Sequence, residues 1–149
     1  MPTDPYREPA RAEALAAAQR ALARRDLSER ELRDRLVQVG LEPAAAEEAL
    51  ETLRRGGLVD DERFAAERAR VLAERGKGDA AIRYDLERHG VARALVDGAL
   101  AALEPERQRA ERLVARRGGG EKTARLLASR GFGEEVVSLV AGAGIAQEP

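Results

Sequence analysis

The sequence predicts an all-α protein in which three tandem three-helix repeats form an elongated, curved molecule. Three observations support this fold class: two helix starts with well-marked capping signals, apolar side chains at helical spacing, and self-similarity along the chain. The chain has 149 residues, which is long enough for several small helical modules. Because a short three-helix module buries little surface by itself, neighbouring modules are expected to bury each other's faces.

The amino-acid composition agrees with helices that pack closely around small side chains. Aromatic residues make up only 3% of the chain, and much of its apolar content is alanine. Charged residues reach 36% and nearly cancel to a net charge of −1, which is typical of long solvated helix faces. Cysteine is absent, which excludes disulfide chemistry. No apolar run approaches the roughly 20 residues that span a bilayer, and the N-terminus is unlike a signal peptide, so we expect a cytoplasmic protein without a membrane partner.

The repeats are visible when the sequence is aligned with itself. With one constant offset and no gap, Leu22 aligns with Leu72, Gly40 with Gly90, and a weaker third copy ends at Gly131. We predict repeats at residues 10–57, 58–104 and 105–142, between a flexible N-terminal segment at 1–9 and a flexible tail at 143–149. The helices are expected near residues 10–25, 29–39, 43–55, 61–75, 79–89, 92–103, 106–117, 121–130 and 134–142.

Local signals justify the second helix of the first repeat. Ser28 and Glu31 have the spacing of a capping box, in which each side chain bonds the other residue's backbone N–H. Leu27 and Leu32 flank this box at the spacing of a hydrophobic staple. Gly40 is expected to end the helix, because glycine enters the left-handed conformation without steric cost.

A second set of signals marks the start of the second repeat, around the sequence Leu-Val-Asp-Asp-Glu-Arg-Phe-Ala at residues 58–65. Asp60 is predicted to cap the new helix, and Asp61 falls in its first turn, where negative charge meets the positive end of the helix dipole. Val59 and Phe64 have staple spacing, so Phe64 is expected to anchor the core. Pro105 is expected to separate the second repeat from the third.

Signals for catalysis are nearly absent from the sequence. His89 is the only histidine and aligns with a helix-end position of the first repeat, so we expect it to be partly buried or capping. A structural zinc site is excluded by one histidine without cysteine, and helix capping explains the acidic run at residues 60–62 without Mg²⁺. The glycine run at residues 118–120 precedes Lys122 and Thr123 but follows no strand, so it is expected to be a hinge instead of a phosphate loop. We expect no metal, no cofactor and no enzymatic activity.

Basic charge collects in the later part of the chain. Residues 105–130 carry eight basic residues against three acidic ones, whereas residues 21–57 are close to balance. This distribution predicts a surface that meets phosphates or an acidic protein; the alternative is a set of solvated helix faces. We call the predicted surface the basic stripe, and it consists of Arg75, Lys77, Arg83, Arg107, Arg109, Arg112, Arg116, Arg117, Lys122, Arg125 and Arg130.

Taken together, these motifs resemble the RecX family of bacterial recombination regulators over roughly residues 20–141. The segment at residues 58–65 resembles the most recognisable phrase of that family, and Arg75-Gly76-Lys77-Gly78 resembles part of its second module. The segment Arg130-Gly131-Phe132 resembles the third module. The positions that carry the family motif and are expected to act through folding are Ser28, Glu31, Leu32, Gly40, Asp60, Asp61, Phe64, Gly90, Gly131 and Phe132.

The resemblance implies a non-enzymatic modulator of RecA. Members of the family bind RecA and the RecA filament on single-stranded DNA, and they inhibit recombinase, ATPase and co-protease activity in recombination and the SOS response. By this resemblance the partners are RecA and its filament, with weak non-specific DNA binding in addition, and we expect a monomer. In that setting the basic stripe would face acidic RecA surface or filament DNA.

Three other functions are compatible with the sequence. A sequence-independent DNA-binding protein could compete with RecA for DNA, and a steep salt dependence of binding to DNA alone would identify it. An enzyme is disfavoured, because no nucleophile–base pair or metal cluster is visible. A helical adaptor for a different partner would be separated by a pull-down with purified RecA.

Overall fold

The structure, a computed structural model, describes residues 7–145, and every regular element in that range is an α-helix. The helices are α1 (Arg7–Arg24), α2 (Glu29–Gln38), α3 (Pro43–Arg55), α4 (Asp61–Glu74), α5 (Asp79–Arg88), α6 (Arg93–Ala101), α7 (Glu106–Arg117), α8 (Glu121–Ser129) and α9 (Glu134–Ile145). They form three three-helix repeats, which confirms the predicted all-α repeat fold. The limits assigned to each repeat stay a prediction. None of these helices is long and apolar enough to serve as a membrane span.

The helix bounds differ from the predicted ones mainly at the two ends of the chain. Helix α1 begins at Arg7, within the segment that was expected to be flexible. Pro9 is compatible with this start, because the backbone N–H groups of the first helical turn have no intrahelical partner and proline lacks only that group. Helix α9 continues to Ile145, past the predicted start of the tail. Residues 1–6 and 146–149 of the two predicted flexible ends lie outside the described range.

The chain divides into two compact units that do not follow the repeat boundaries. Among the described residues, the first unit contains residues 7–64 together with His89–Val91, and the second contains Ala65–Arg88 together with residues 92–145. The first unit therefore includes all of the first repeat, the first turn of α4 and the turn between α5 and α6.

Alanine side chains bring α1 and α3 together in the core of the first unit. Ala14 and Ala18 of α1 and Ala46 and Ala49 of α3 are fully buried in one apolar cluster. Five leucines complete this cluster. They come from the loop between α1 and α2, from α2 and from α3, and they are Leu27, Leu32, Leu36, Leu50 and Leu53. Small side chains let the helix axes approach closely, as the alanine-rich composition predicted.

The predicted caps of α2 and α4 are both present. The Ser28 side chain accepts a hydrogen bond from the backbone N–H of Glu31, and the Glu31 carboxylate accepts one from the backbone N–H of Ser28, which completes the capping box. The Asp60 carboxylate accepts a hydrogen bond from the backbone N–H of Arg63 at 3.1 Å, three residues into α4. Phe64, 5% exposed, is buried as the predicted core anchor.

The second unit has a core of its own. Ile82 and Leu86 of α5 and Val96 of α6 are fully buried. In the third repeat, Leu127 and Phe132 belong to a cluster that α9 covers with Val140. Phe132 thus packs in the core, in agreement with its assignment as a structural position.

One glycine ends the second helix in each of the three repeats, as the alignment predicted. Gly40, Gly90 and Gly131 follow α2, α5 and α8 with φ angles of +96°, +83° and +87°. A side chain at these positions would be strained in the left-handed region, so glycine terminates the helix at low cost.

Candidate functional site

The basic stripe lies entirely within the second unit, on four of its elements. Arg75 and Lys77 are in the turn between α4 and α5, and Arg83 is on α5. Helix α7 carries the residues from Arg107 to Arg117, while Lys122 and Arg125 are on α8 and Arg130 is its C-cap. Most of these side chains are exposed, so the surface is open to a partner.

Three members of the basic stripe form ion pairs on the protein surface. Arg83 pairs with Asp97 at 2.6 Å, Arg107 pairs with Glu111 at 3.1 Å, and Arg112 pairs with Glu104 at 2.7 Å. Exposed pairs of this kind contribute about 0–1 kcal/mol each. A partner with stronger negative charge can therefore recruit these arginines at small energetic cost.

Arg109 corrects the prediction, because its side chain points into the protein and is only 8% exposed. Its guanidinium donates to the backbone carbonyls of Glu104 and Lys77, each at 2.9 Å, and to the carboxylate of Asp79. It also lies 5.9 Å from the centre of the Phe132 ring. All of these interactions are internal, so Arg109 holds the second and third repeats together and does not belong to the partner surface.

Within the described part of the chain, seven cations of the basic stripe have no ion-pair partner. We call them the seven unpaired cations, and they are Arg75, Lys77, Arg116, Arg117, Lys122, Arg125 and Arg130. Lys122 and Arg125 are three residues apart on α8 and so share a helix face. Arg130 lies against the turn between α4 and α5, since a Cβ at Gly76 would come 2.6 Å from its Nη1 atom.

A cavity of about 360 Å³ in the second unit is lined by one of these cations, Arg116. Its apolar wall includes Leu103, Leu113 and Phe132, and charged side chains such as Arg70 and Arg116 also line it. Arg70 is already paired with Glu67 and Glu74, each at 2.6 Å. The cavity holds no combination of nucleophile and base, and the residues that the structure describes contain no cluster that could hold a metal ion.

His89 lies in the first unit and has structural contacts. Its ring centre is 5.6 Å from that of Phe64, with the two rings tilted. Its backbone carbonyl accepts a hydrogen bond from the hydroxyl of Ser28, which is fully buried. These contacts join the start of α2 to the turn between α5 and α6.

The first unit also contains two carboxyl groups with shifted pKa values near the start of α2. A bidentate hydrogen bond from Arg54, at 2.7 and 3.0 Å, lowers the pKa of Glu29. Burial raises the pKa of Asp61, although its carboxylate accepts a hydrogen bond from the backbone N–H of Glu29 at 2.9 Å. Asp61 thus supplies an acceptor to α2 as well as negative charge to its own helix start.

The contacts that join the start of α2 to the following repeat have a counterpart at the start of α5, and sequence reasoning missed both of these junctions. Between the second and third repeats, the Gly78 N–H donates to the Arg130 carbonyl at 2.8 Å, where the first junction uses Ser28 and His89. The Asp79 N–H donates to the carboxylate of Glu106 at 3.0 Å, where the first junction uses Glu29 and Asp61. The alignment that pairs Gly40 with Gly90 also pairs Ser28 with Gly78, so a small residue at both positions was the available signal.

The close approach at the second junction requires glycine at position 78. A Cβ at Gly78 would collide with the backbone of Gly131 and Phe132. Neither backbone segment can move aside as a flexible side chain would. The turn between α4 and α5 therefore contacts the end of α8 directly, backbone to backbone.

Comparison with known proteins places this repeat architecture in a family. The model of the first three-helix domain of RecX matches residues 14–53, and the model of its second three-helix domain matches residues 60–100. Together they cover more than half of the chain. The chain belongs to the RecX family.

Proteins named regulatory protein RecX match much of this RecX-family chain. One from Mycobacterium sp. (strain JLS) is 38% identical over 124 residues, which are 80% of this chain and 67% of that protein. One from Stenotrophomonas maltophilia (strain K279a) is 34% identical, over 81% of this chain and 74% of that protein. One from Xanthomonas axonopodis pv. citri (strain 306) is 39% identical over 59% of this chain. The chain covers 54% of the Xanthomonas protein, so it spans only part of some of its relatives.

Two solved structures share the fold. The crystal structure of RecX from Lactobacillus salivarius superposes with a TM-score of 0.80, over 93% of this chain and 99% of that one, at 18% identity. A second crystal structure, of regulatory protein RecX, superposes with a TM-score of 0.75 over 91% of this chain and 73% of that one, at 22% identity. At these identities the similarity establishes the three-repeat fold and not the contacts with a partner.

Proposed function

We propose that this chain binds RecA and the RecA filament on single-stranded DNA, and that binding inhibits recombinase, ATPase and co-protease activity. Membership in a family of regulatory proteins supports a role in regulation. The observation that carries the choice of surface is the group of seven unpaired cations in the second unit.

The seven unpaired cations suit a negatively charged polymer. Arg116 and Arg117 occupy the last turn of α7, where the negative end of the helix dipole favours positive charge. A partner that brings phosphates or carboxylates to this surface need not break existing ion pairs with described residues. The guanidinium group can bond such oxygens in bidentate fashion, which fits either the filament DNA or an acidic face of RecA.

In the proposed mechanism, the chain inhibits RecA only by binding to the filament. A protein that occupies the filament blocks strand exchange and the subunit movements that accompany ATP hydrolysis, without a chemical step of its own. We propose that the chain acts as a cytoplasmic monomer and needs no cofactor.

Charge reversal tests the surface. In the variant with Arg116, Arg117, Arg125 and Arg130 replaced by glutamate, half-inhibition of RecA ATPase on single-stranded DNA should require roughly tenfold more protein or above, since close charge pairs at interfaces couple by about 1.5 kcal/mol or more. The matched control replaces the same four arginines by lysine, which keeps the charge. It should inhibit within a few-fold of the unmodified chain.

Circular dichroism of both variants checks that the helices are retained. If the glutamate variant keeps its helicity and still inhibits as well as the lysine variant, the basic stripe has no part in inhibition. If neither the variants nor the unmodified chain affects RecA, the proposed function itself is wrong.

A second candidate, sequence-independent DNA binding that competes with RecA, is favoured by the same cations. If all seven contacted phosphates of single-stranded DNA, the logarithm of the binding constant would fall with the logarithm of salt concentration with a slope of about −5. A salt titration with DNA alone measures this slope. Tight binding with so steep a slope would favour competition for DNA, whereas affinity that requires RecA supports the main proposal.

A further inference from the structure

A groove on the first repeat carries a different set of unpaired cations. It lies between α1 and α2, has a volume of about 230 Å³, and is lined by residues of these two helices and the C-cap of α2. We call it the repeat 1 groove and define it by Arg20, Arg24 and Arg35 around an apolar floor that includes Ala21, Leu36 and Val39. No residue of the basic stripe lines it.

The three arginines of the repeat 1 groove are exposed and have no ion-pair partner in the described part of the chain. Their neighbours behave differently: Arg25 pairs with Glu31 at 3.5 Å, and Arg33 pairs with Glu47. Local acids therefore neutralise the surrounding arginines and leave the groove positive. The whole chain is close to neutral, so this concentration of charge is local.

Apolar surface accompanies this charge. The side chain of Val39, at the end of α2, is 64% exposed and borders the groove. Half-buried Ala17 also lines the groove, while Ala21 and Leu36 beneath it are buried, so Val39 and Ala17 form a small apolar surface with a charged rim, the composition expected of a protein-binding surface.

In the third repeat, the corresponding side of α7 faces a helix of the preceding repeat. The repeat alignment pairs Arg24 with Arg116, and the same spacing pairs Arg20 with Arg112. Arg112 and Arg116 line a cavity whose other walls include Glu74, in the last turn of α4 of the preceding repeat. In the second unit the end of α4 thus lies across this cavity from α7, with Glu74 paired to Arg70 and Arg112 to Glu104, whereas α1 and α2 alone line the repeat 1 groove.

We propose that the repeat 1 groove binds an amphipathic helix of a partner protein whose exposed face is acidic. Arg20 and Arg24 are one helical turn apart, so acidic residues at i and i+4 on the partner helix would match their spacing. Leucine or alanine beside them would cover Val39 and Ala17. Nucleic acid would match the arginines but would leave the exposed Val39 side chain against a charged backbone, so a protein helix fits both features.

Fluorescence anisotropy with a labelled synthetic helix tests this inference. The probe is a peptide of glutamate, alanine and leucine with glutamates at i and i+4 along one face and leucines beside them. The full chain should bind it with micromolar affinity, which is ordinary for a short helix in a groove. Replacement of Arg20, Arg24 and Arg35 by glutamate should weaken binding by about tenfold or more, because close interfacial charge pairs would be lost.

The control variant reverses Arg116, Arg117 and Arg125 to glutamate, which changes the net charge by the same amount on the second unit. It should bind the peptide within about threefold of the unmodified chain, because none of these three residues lines the repeat 1 groove and charges that make no contact are screened by salt. A second variant, Val39→Ser, alters only an exposed side chain and should weaken binding of the leucine-containing peptide. Peptides with glutamine for glutamate or serine for leucine should both bind more weakly than the original.

Three results would overturn the proposal. An equal loss in the two charge-reversed variants would mean that binding reflects overall charge. Unchanged affinity for the serine peptide and the Val39→Ser variant would remove the apolar floor from recognition. A single-stranded oligonucleotide that binds the groove more tightly than the peptide, and is lost in the Arg20, Arg24 and Arg35 variant, would make the groove a nucleic-acid surface. None of these measurements depends on RecA inhibition. The proposed function is tested separately by the RecA ATPase assay.

Discussion

Replacement of Arg109 by methionine should destabilise the protein far more than replacement of a neighbouring arginine on the same helix. Methionine keeps the apolar part of the side chain near Phe132 but removes the guanidinium. The backbone carbonyls of Lys77 and Glu104 then lose their charged donor, and Asp79 loses its partner. The second and third repeats would lose a clamp that lies within the second unit.

The magnitude follows from the burial of each group. Hydrogen bonds to a charged donor contribute about 1.5–3 kcal/mol, and breaking a buried ion pair by removing one partner costs about 3–5 kcal/mol. Asp79 is 39% exposed and can be rehydrated, so the ion pair contributes less than a buried one would. We therefore expect the free energy of unfolding to fall by about 3 kcal/mol, which corresponds to a drop in Tm of about 6–12 °C.

Chemical denaturation followed by circular dichroism measures this loss, with Arg107→Met as the matched control. Arg107 is 63% exposed and pairs with Glu111 one helical turn away, an interaction worth about 0.3–0.5 kcal/mol. If both variants lost less than about 1 kcal/mol, Arg109 would not be the clamp that its contacts indicate.

Three further predictions concern the junctions and the start of α2. Gly78→Ala should lower the free energy of unfolding by about 2 kcal/mol or more through overpacking, whereas Gly98→Ala, in an open helical position, should raise it by up to about 1 kcal/mol in the same denaturation assay. Ser28→Ala should lower the free energy of unfolding by about 1–2 kcal/mol, because it removes the cap and a buried donor. A drop in Tm smaller than that caused by replacing an exposed serine with alanine would contradict this. Since Arg54 lowers the pKa of Glu29 below 4.5, the ionised carboxylate stabilises the fold above the unfolded pKa, and that stability is lost as pH falls through the folded pKa. Glu29→Gln should therefore be less stable than the unmodified chain at neutral pH, and a difference that did not shrink as pH falls from 4.5 through the lowered folded pKa would refute this cause.

The sequence predicted the features that depend on neighbouring residues. The capping box of Ser28 and Glu31, the cap by Asp60 and the helix stop at Gly40 each involve side chains or backbone groups within a few positions. Such contacts form whenever the local sequence adopts the helix, so they can be inferred without tertiary information. The helical spacing of Leu32 and Leu36 likewise placed both side chains on the buried face of α2, whereas Val39, expected on the same stripe, is 64% exposed.

The contacts between repeats could not be inferred in the same way. Asp61 and Glu106 both have the sequence signature of an acid in the first turn of a helix, yet each also bonds a backbone N–H of a distant helix start. Charge counting placed Arg109 on the surface, because the sequence alone does not distinguish an arginine whose side chain points inward from one that is exposed. The repeat alignment does carry a partial signal, since Arg109 aligns with Ala17, which is half-buried on the inner side of α1.

The division between shared and unshared positions explains where function is to be sought in this protein. Positions that repeat, such as Leu36 with Leu86 and Leu127, are buried and maintain the helices and junctions. Arginines recur at Arg24 and Arg116, but the residue aligned with Arg24 in the second repeat is Glu74. Because the fold constrains the backbone at these positions and not the charge, each repeat can present a different electrostatic surface on the same scaffold. Exchange of the charged residues between two repeats would therefore change the surface charge of each repeat while leaving the buried positions that maintain the fold in place.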